Sequence, residues 1–350
     1  MAASLFGDCM SIKFKRDQFL TEKLLVLDGL TGTGKTMISS VLESFENVEA
    51  GRFIYDFEHI AISHALGALR VDAARALLGL LIDIKLYDNM ISREVNFRPS
   101  DLTCVLKNGR ALKHIKRLFQ PDGNAVDSRL KDEKPIMMIN THQLLGALDC
   151  LFEQFKGKVY VVEMERHPLY LLEHWMSHVD MHGTSARSFS VCIAGKDGRS
   201  VPWFAYEWRQ DYWSMTKFDR VVKSIESLTT LIDAQYKKQP KSHLLSIPFE
   251  DFCLNSNKYI HEISNWLGAG ATAQTRKSCK KQKLPRNNIN DGLNRKIYQR
   301  YGYKQSSRLQ SHAENYAEKQ AYAESYQTEI SEPILKKLIQ RYEARFGLWF

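Results

Sequence analysis

Leu24-Leu25-Val26-Leu27-Asp28-Gly29-Leu30-Thr31-Gly32-Thr33-Gly34-Lys35-Thr36-Met37 is the stretch that decides the fold. Residues 24–27 are a short apolar run of strand type, Gly29, Gly32 and Gly34 make a loop, and residues 37–45 suit a helix. In that order, the pattern G-x-x-x-x-G-K-[ST], met here by Gly29, Gly34, Lys35 and Thr36, builds a phosphate cradle. The glycines let the backbone wrap close to phosphate oxygens. Successive N–H groups and the helix N-terminus favour an anion, Lys35 supplies a point charge, and Thr36 offers a hydroxyl. The expected nucleotide contacts are therefore Gly29, Thr31, Gly32, Thr33, Gly34, Lys35 and Thr36. The loop does not say whether the phosphate it holds is cleaved. In an NTPase or kinase, Mg²⁺ would be held by Thr36 and an acidic residue ending a neighbouring apolar strand. Glu163 and Glu165 are the candidates, and no aspartate stands there.

Outward from the loop, further strand-type runs at 136–139, 159–162 and 244–247 alternate with helical stretches near 144–155, 169–178, 218–236 and 257–267. That alternation predicts an α/β fold, a P-loop three-layer α/β/α architecture with a mostly parallel sheet. The Ala/Leu-rich residues 57–87 add one or two helices as insertions. Residues 1–23 read as an N-terminal extension, 24–268 as the α/β domain, 269–305 as a basic loop region able to close over a nucleotide, and 306–350 as C-terminal helices. At 350 residues and 44% hydrophobic the chain has ample core. Its formal charge of +9 favours a polyanionic partner without choosing among nucleic acid, acidic glycans and phosphorylated nucleotides; a nucleotide is the expected partner and nucleic acid is not. The six cysteines are scattered, no apolar segment reaches membrane-spanning length, and the N-terminus lacks a signal-peptide core, so the expected location is cytoplasmic.

Two constellations are read structurally. His174, His178 and His182 lie four apart, but without an H-E-x-x-H pattern they are expected to form a half-exposed helix face; no metal is called for. The aromatic residues between Trp203 and Trp213 are assigned to the acceptor side or the edge of the core.

Three further segments resemble the sulfotransferase family, whose donor is 3′-phosphoadenosine 5′-phosphosulfate. Asn140-Thr141-His142-Gln143-Leu144 is similar to its K-T-H-L-P segment, Val159 to Pro168 to its strand followed by R-x-P, and Leu245 to Phe252 with the later Trp266-Leu267-Gly268 to its Y-E-D-L/M and F-L-G motifs. The resemblance implies that His142 is the catalytic base toward an acceptor hydroxyl and that Arg166 pairs with the 3′-phosphate. His174 stands where the family has a serine on that phosphate, and Glu250 and Asp251 become fold markers that cap the next helix. The family's loop reads P-K-S-G-T-T, so this chain departs from it in placing its lysine at Lys35, which would serve the leaving phosphate as the second catalytic group. Arg276 with Lys277, or else Arg286, would supply the basic closure. The implied reaction passes a sulfuryl group from this nucleotide sulfate donor to a hydroxylated acceptor, a glycan or a small metabolite, and requires no metal. The alternatives are a kinase or NTPase that uses ATP with Mg²⁺ and draws on Arg295 or Arg300, and a non-catalytic nucleotide-binding interaction protein.

Overall fold

The backbone of this computed structural model describes residues 12–49, 51–99, 104–107, 110–292 and 310–350; Arg295, Arg300 and Cys9 lie outside them. The strands are β1 (Lys23–Asp28), β2 (Arg52–Phe53), β3 (Ile136–Asn140), β4 (Val159–Glu165), β5 (Cys192–Ala194), β6 (Ser200–Pro202) and β7 (Leu244–Pro248). Five of them form one parallel sheet in the order β2-β3-β1-β4-β7, with Leu24 in register with Met137 on one side and Val159 on the other. β5 and β6 make a separate antiparallel pair. Leu24, Leu25, Val26 and Leu27 are all fully buried. A strand covered on both faces reads as a continuous apolar run, which explains why β1 shows no alternation.

The helices are α1 (Lys35–Leu42), α2 (Tyr55–Ala65), α3 (Val71–Met90), α4 (Ala111–Leu118), α5 (Asn124–Glu133), α6 (Asp149–Phe155), α7 (Leu169–His178), α8 (Lys217–Lys238), α9 (Phe249–Leu254), α10 (Ser256–Leu267), α11 (Ala273–Lys281), α12 (His312–Glu324) and α13 (Ser331–Phe346). The layers are those of a three-layer α/β/α fold, with α2 to α5 forming the helical insertion between β2 and β3. Residues 273–281, expected within a basic loop, are helical instead. Thr272 and Thr275 form a reciprocal capping box there, and both hydroxyls bond Ser44, two residues past the end of α1. That cap fixes the helix start without hydrophobic periodicity, the signal that the sequence lacked.

The sheet order has a consequence for binding. From β1 the chain reaches β3 on one flank and β4 on the other, so a crevice opens beyond the carboxyl ends of these strands. The phosphate loop, Thr141-His142 and Arg166 all leave the sheet at that edge. Among the described residues no helix is long and apolar enough to cross a membrane.

Candidate active site

Asp28, the last residue of β1, organises the loop. Its Oδ1 accepts the Gly29 N–H at 2.6 Å, while Oδ2 accepts the amides of Leu144 and Leu145 at 2.7 and 3.2 Å, tying the loop to the segment after β3. Burial pushes this carboxyl up, against the pull of Lys35 4.0 Å away. Lys35 is buried and folds inward, donating from Nζ to the Gly29 carbonyl and, at 3.2 Å, to the Leu30 carbonyl. Thr33 closes the same ring through its hydroxyl, which donates to Leu30 O at 2.8 Å. α1 begins where this ring ends, with the amides of Met37 and Ile38 donating to the Gly34 carbonyl at 2.9 and 3.3 Å, behind those of Lys35 and Thr36.

Gly34 sits at φ 89°, and a Cβ there would lie 2.4 Å from the Phe249 ring. Gly34→Ala combines left-handed strain of about 1–2 kcal/mol with that overlap. The expected result, read by calorimetric titration, is a loss of nucleotide affinity of at least about tenfold, since loop and ring cannot both hold their positions.

His142 is held on three sides. Its ring stacks on Phe53 (4.4 Å between centroids) and Tyr55 (5.3 Å), and its Nδ1 faces Glu58 Oε1 at 3.4 Å. Glu58, buried on α2, also accepts the backbone amides of His142 and Gln143 at 2.9 and 2.7 Å. A carboxylate opposite Nδ1 favours the tautomer with the proton on that nitrogen, leaving Nε2 its lone pair.

Arg166 extends from the end of β4 over the loop, donating from Nη1 to Gly32 O at 2.8 Å. Its guanidinium lies 4.6 Å from the Phe249 ring centre and its Nε lies 3.7 Å from Glu250. Glu250 does not cap a helix. It is buried, accepts the Tyr342 hydroxyl at 2.6 Å and the His167 amide at 3.3 Å, and so props Arg166 from behind. Asp251 likewise bonds side chains, Tyr259 and Asn255, rather than the amides of α10. For Glu250 the reason is burial: it lies inside the fold, where its nearest donor is the Tyr342 hydroxyl of α13.

Arg286 is the most informative cation. It is 7% exposed, and its guanidinium donates only to neutral acceptors: Ile289 O at 2.8 Å, Gln282 O at 3.2 Å and the Met37 sulfur at 3.3 Å. Among the described residues no carboxylate comes within 4 Å of it, and its Nε has no partner. A buried charge in that state is costly unless an anion completes it.

Thr31, Gly32, Thr33, Gly34, Lys35, Thr36, His142, Arg166 and His174 line one cavity of about 460 Å³, together with Phe53, Tyr55, Phe249 and Arg286. A second cavity, of about 190 Å³, lies beyond it, and Thr31, Tyr55 and His142 line both. Gly29 shapes the loop from behind: a Cβ there would meet the Met164 carbonyl at 2.2 Å.

Other expectations separate. Arg276 and Lys277 are exposed on α11 and do not line the cavity, whereas Arg286 does. Glu163 and Glu165 do not line it either. Glu163 accepts from Ser246 at 2.8 Å and is pushed well up by burial and by Glu165, which itself pairs with Arg341 at 2.9 Å and with Arg345. The histidine series does not share one helix face: α7 ends at His178 with His174 and His178 half-buried, and His182 lies beyond it. His182 is buried, the rings of His174 and His178 lie 4.9 Å apart, and burial pushes His174 down to about 3 and His182 to about 4. His178 packs on the ring of Trp175 within α7, and His182, past the helix end, packs on Phe204. Among the described residues no group of three or more His, Cys, Asp or Glu could hold a metal. In the aromatic segment, Trp203 and Trp208 are buried, and Trp203 reaches the smaller cavity only by donating to Gln143 at 2.6 Å.

The similar solved structures include sulfotransferases. The sulfotransferase domain of the Synechococcus PCC 7002 olefin synthase shares 10% identity over 90% of this chain and 98% of its own, with a TM-score of 0.42. The sulfotransferase domain of the curacin biosynthetic pathway shares 10% over 87% of this chain and 99% of its own, with a TM-score of 0.43. Sulfotransferase STF9 from Mycobacterium avium shares 11% over 95% and 78%, with a TM-score of 0.42. No family model and no curated protein matches the chain. With about one residue in ten identical, the functional reading rests on this chain's own side chains.

Proposed function

We propose that the chain is a sulfotransferase that moves a sulfuryl group from 3′-phosphoadenosine 5′-phosphosulfate to a hydroxyl. The observation that carries this reading is the position of His142 in the wall between two cavities, one lined by the phosphate loop and one free for an acceptor. Lys35, Arg166 and Arg286 bring three cations to the larger cavity, matching a ligand with phosphate at both its 5′ and 3′ positions. In this reading the loop amides and Lys35 hold the 5′ end, while Arg166, Arg286 and the neutral His174 hold the 3′-phosphate. The donor supplies an activated sulfur whose bond to the bridging oxygen breaks as the acceptor oxygen bonds to it. His142 Nε2 takes the acceptor's proton, and Glu58 steadies the imidazolium that results. Lys35 and the loop N–H groups offset the charge that develops on the bridging oxygen.

The kinase alternative needs a carboxylate beside Thr36 to hold Mg²⁺. Glu163 and Glu165, which were to supply it, are spent elsewhere. Thermal unfolding with adenosine 3′,5′-bisphosphate, without Mg²⁺, against Mg-ATP tests the choice. Stabilisation of about 3 kcal/mol is expected for the bisphosphate at about 100 times its Kd. A preference for Mg-ATP would overturn the reading. In Arg286→Met the packing stem stays and the charge goes. The bisphosphate shift should then shrink, with affinity lowered about tenfold or more, while the unliganded Tm changes less.

A further inference from the structure

The smaller cavity has a chemistry of its own. Its volume of about 190 Å³ falls below the span of about 300–1,000 Å³ typical for drug-sized ligands, so it accommodates one ring rather than an extended molecule. Its carboxylate, Glu58, is spent: Oε2 accepts two amides and Oε1 faces His142. What remains open to a ligand are imidazoles, one guanidinium and hydroxyls.

His178 has a fixed polarity. Its Nδ1 lies 2.6 Å from the His174 carbonyl, which can only accept, so the proton resides on Nδ1. Burial pushes its pKa down, leaving the ring neutral and Nε2 a bare acceptor. That Nε2 is buried and has no partner among the described residues; the same is true of Nε2 on His182, a side chain 93% buried by its 7% exposure. Both residues line the cavity. A bare acceptor there calls for a ligand hydroxyl. Arg187 stands exposed on the same lining, and its guanidinium meets no carboxylate among the described residues. Tyr55 and Phe189, with ring centres 5.2 Å apart, add apolar faces suited to the carbon side of a sugar ring.

Building on the sulfotransferase reading, we infer that the acceptor is an acidic sugar residue: one hydroxyl faces His142, a second donates to His178 Nε2, and an anionic substituent pairs with Arg187. The test uses p-nitrophenyl β-D-glucuronide and p-nitrophenyl β-D-glucoside, which differ at the carboxylate, titrated calorimetrically with and without adenosine 3′,5′-bisphosphate. The glucuronide should bind about tenfold more tightly, the scale of one charge-assisted bond. Arg187→Ala should erase that ratio and Arg187→Lys retain part of it. His178→Phe should weaken both glycosides by a similar factor. Free D-glucuronate binding as well as the glycoside would mark a free sugar acid as the source, and weaker binding would mark the end of a glycan. Equal binding of the two glycosides, a ratio that survives Arg187→Ala, or no binding of either overturns the inference. The arms without nucleotide keep the two readings apart. A glucuronide preference with no response to the bisphosphate removes only the nucleotide assignment, and a bisphosphate response without glycoside preference removes only this one.

Discussion

His142→Ala is expected to lower single-turnover sulfuryl transfer by about 10²–10⁴-fold, the usual worth of a positioned general base. Affinity for adenosine 3′,5′-bisphosphate should move little, because the proposed role is confined to the acceptor proton. The ring is set for that work by contacts that do not involve a nucleotide: Phe53 and Tyr55 fix its plane, and Glu58 faces Nδ1. Glu58→Gln separates orientation from charge. An amide oxygen can still face Nδ1, but the stabilisation of an imidazolium is lost, so transfer should fall by less than in His142→Ala. Undiminished turnover in His142→Ala would place the base elsewhere. Loss of bisphosphate binding would make His142 a nucleotide contact instead.

The parts of this site that were legible in the sequence are those written in local spacing. A strand, three glycines and a Lys-Thr pair fall within fourteen consecutive residues, and the register of β1 against β3 and β4 then puts Thr141-His142 and Arg166 at the same sheet edge. Asp28, Glu58 and Arg286 were harder to weigh for a common reason. Asp28 acts on amides more than 100 residues away, Glu58 reaches His142 across 84 positions, and the isolation of Arg286 depends on what α1 and α9 exclude. No periodicity encodes such contacts. A signal did exist for Asp28: a carboxylate ending an apolar strand, just before the loop, must find donors when buried. The histidine series misled for a related reason. Four-residue spacing puts side chains on one face only while the helix lasts, and α7 stops at His178, so His182 packs on Phe204 instead.

Acid should destabilise this protein progressively below about pH 6.5. Burial holds four histidines far below the usual value of about 6.5: His114, His167 and His182 at about 4, and His174 at about 3. Depressed folded-state values mean that, as pH falls below 6.5, the unfolded chain binds protons that the native state refuses. Stability is therefore full above about 6.5 and declines down to about 4, at about 1.4 kcal/mol per pH unit for each histidine. Between pH 6.5 and 5 four such groups remove roughly 6 kcal/mol, which lies within the range of the whole stability of a typical domain, about 5–15 kcal/mol. Glu163 works in the opposite sense. Its raised carboxyl is already protonated in the fold, so lowering the pH toward the ordinary carboxylate range favours the native state, and Asp28 and Glu250, which burial also raises, act in the same direction and offset part of the loss. Glu49, held at about 2 beside Lys113 and Arg117, adds its own loss only below about 4.5. Urea midpoints measured from pH 7.5 to 4.5 should thus fall steeply below 6.5, and His182→Phe, which removes one proton from the count, should make the slope shallower. A urea midpoint that stays level to pH 4.5 would mean that these imidazoles take up their protons without unfolding the chain, and are not enclosed as described.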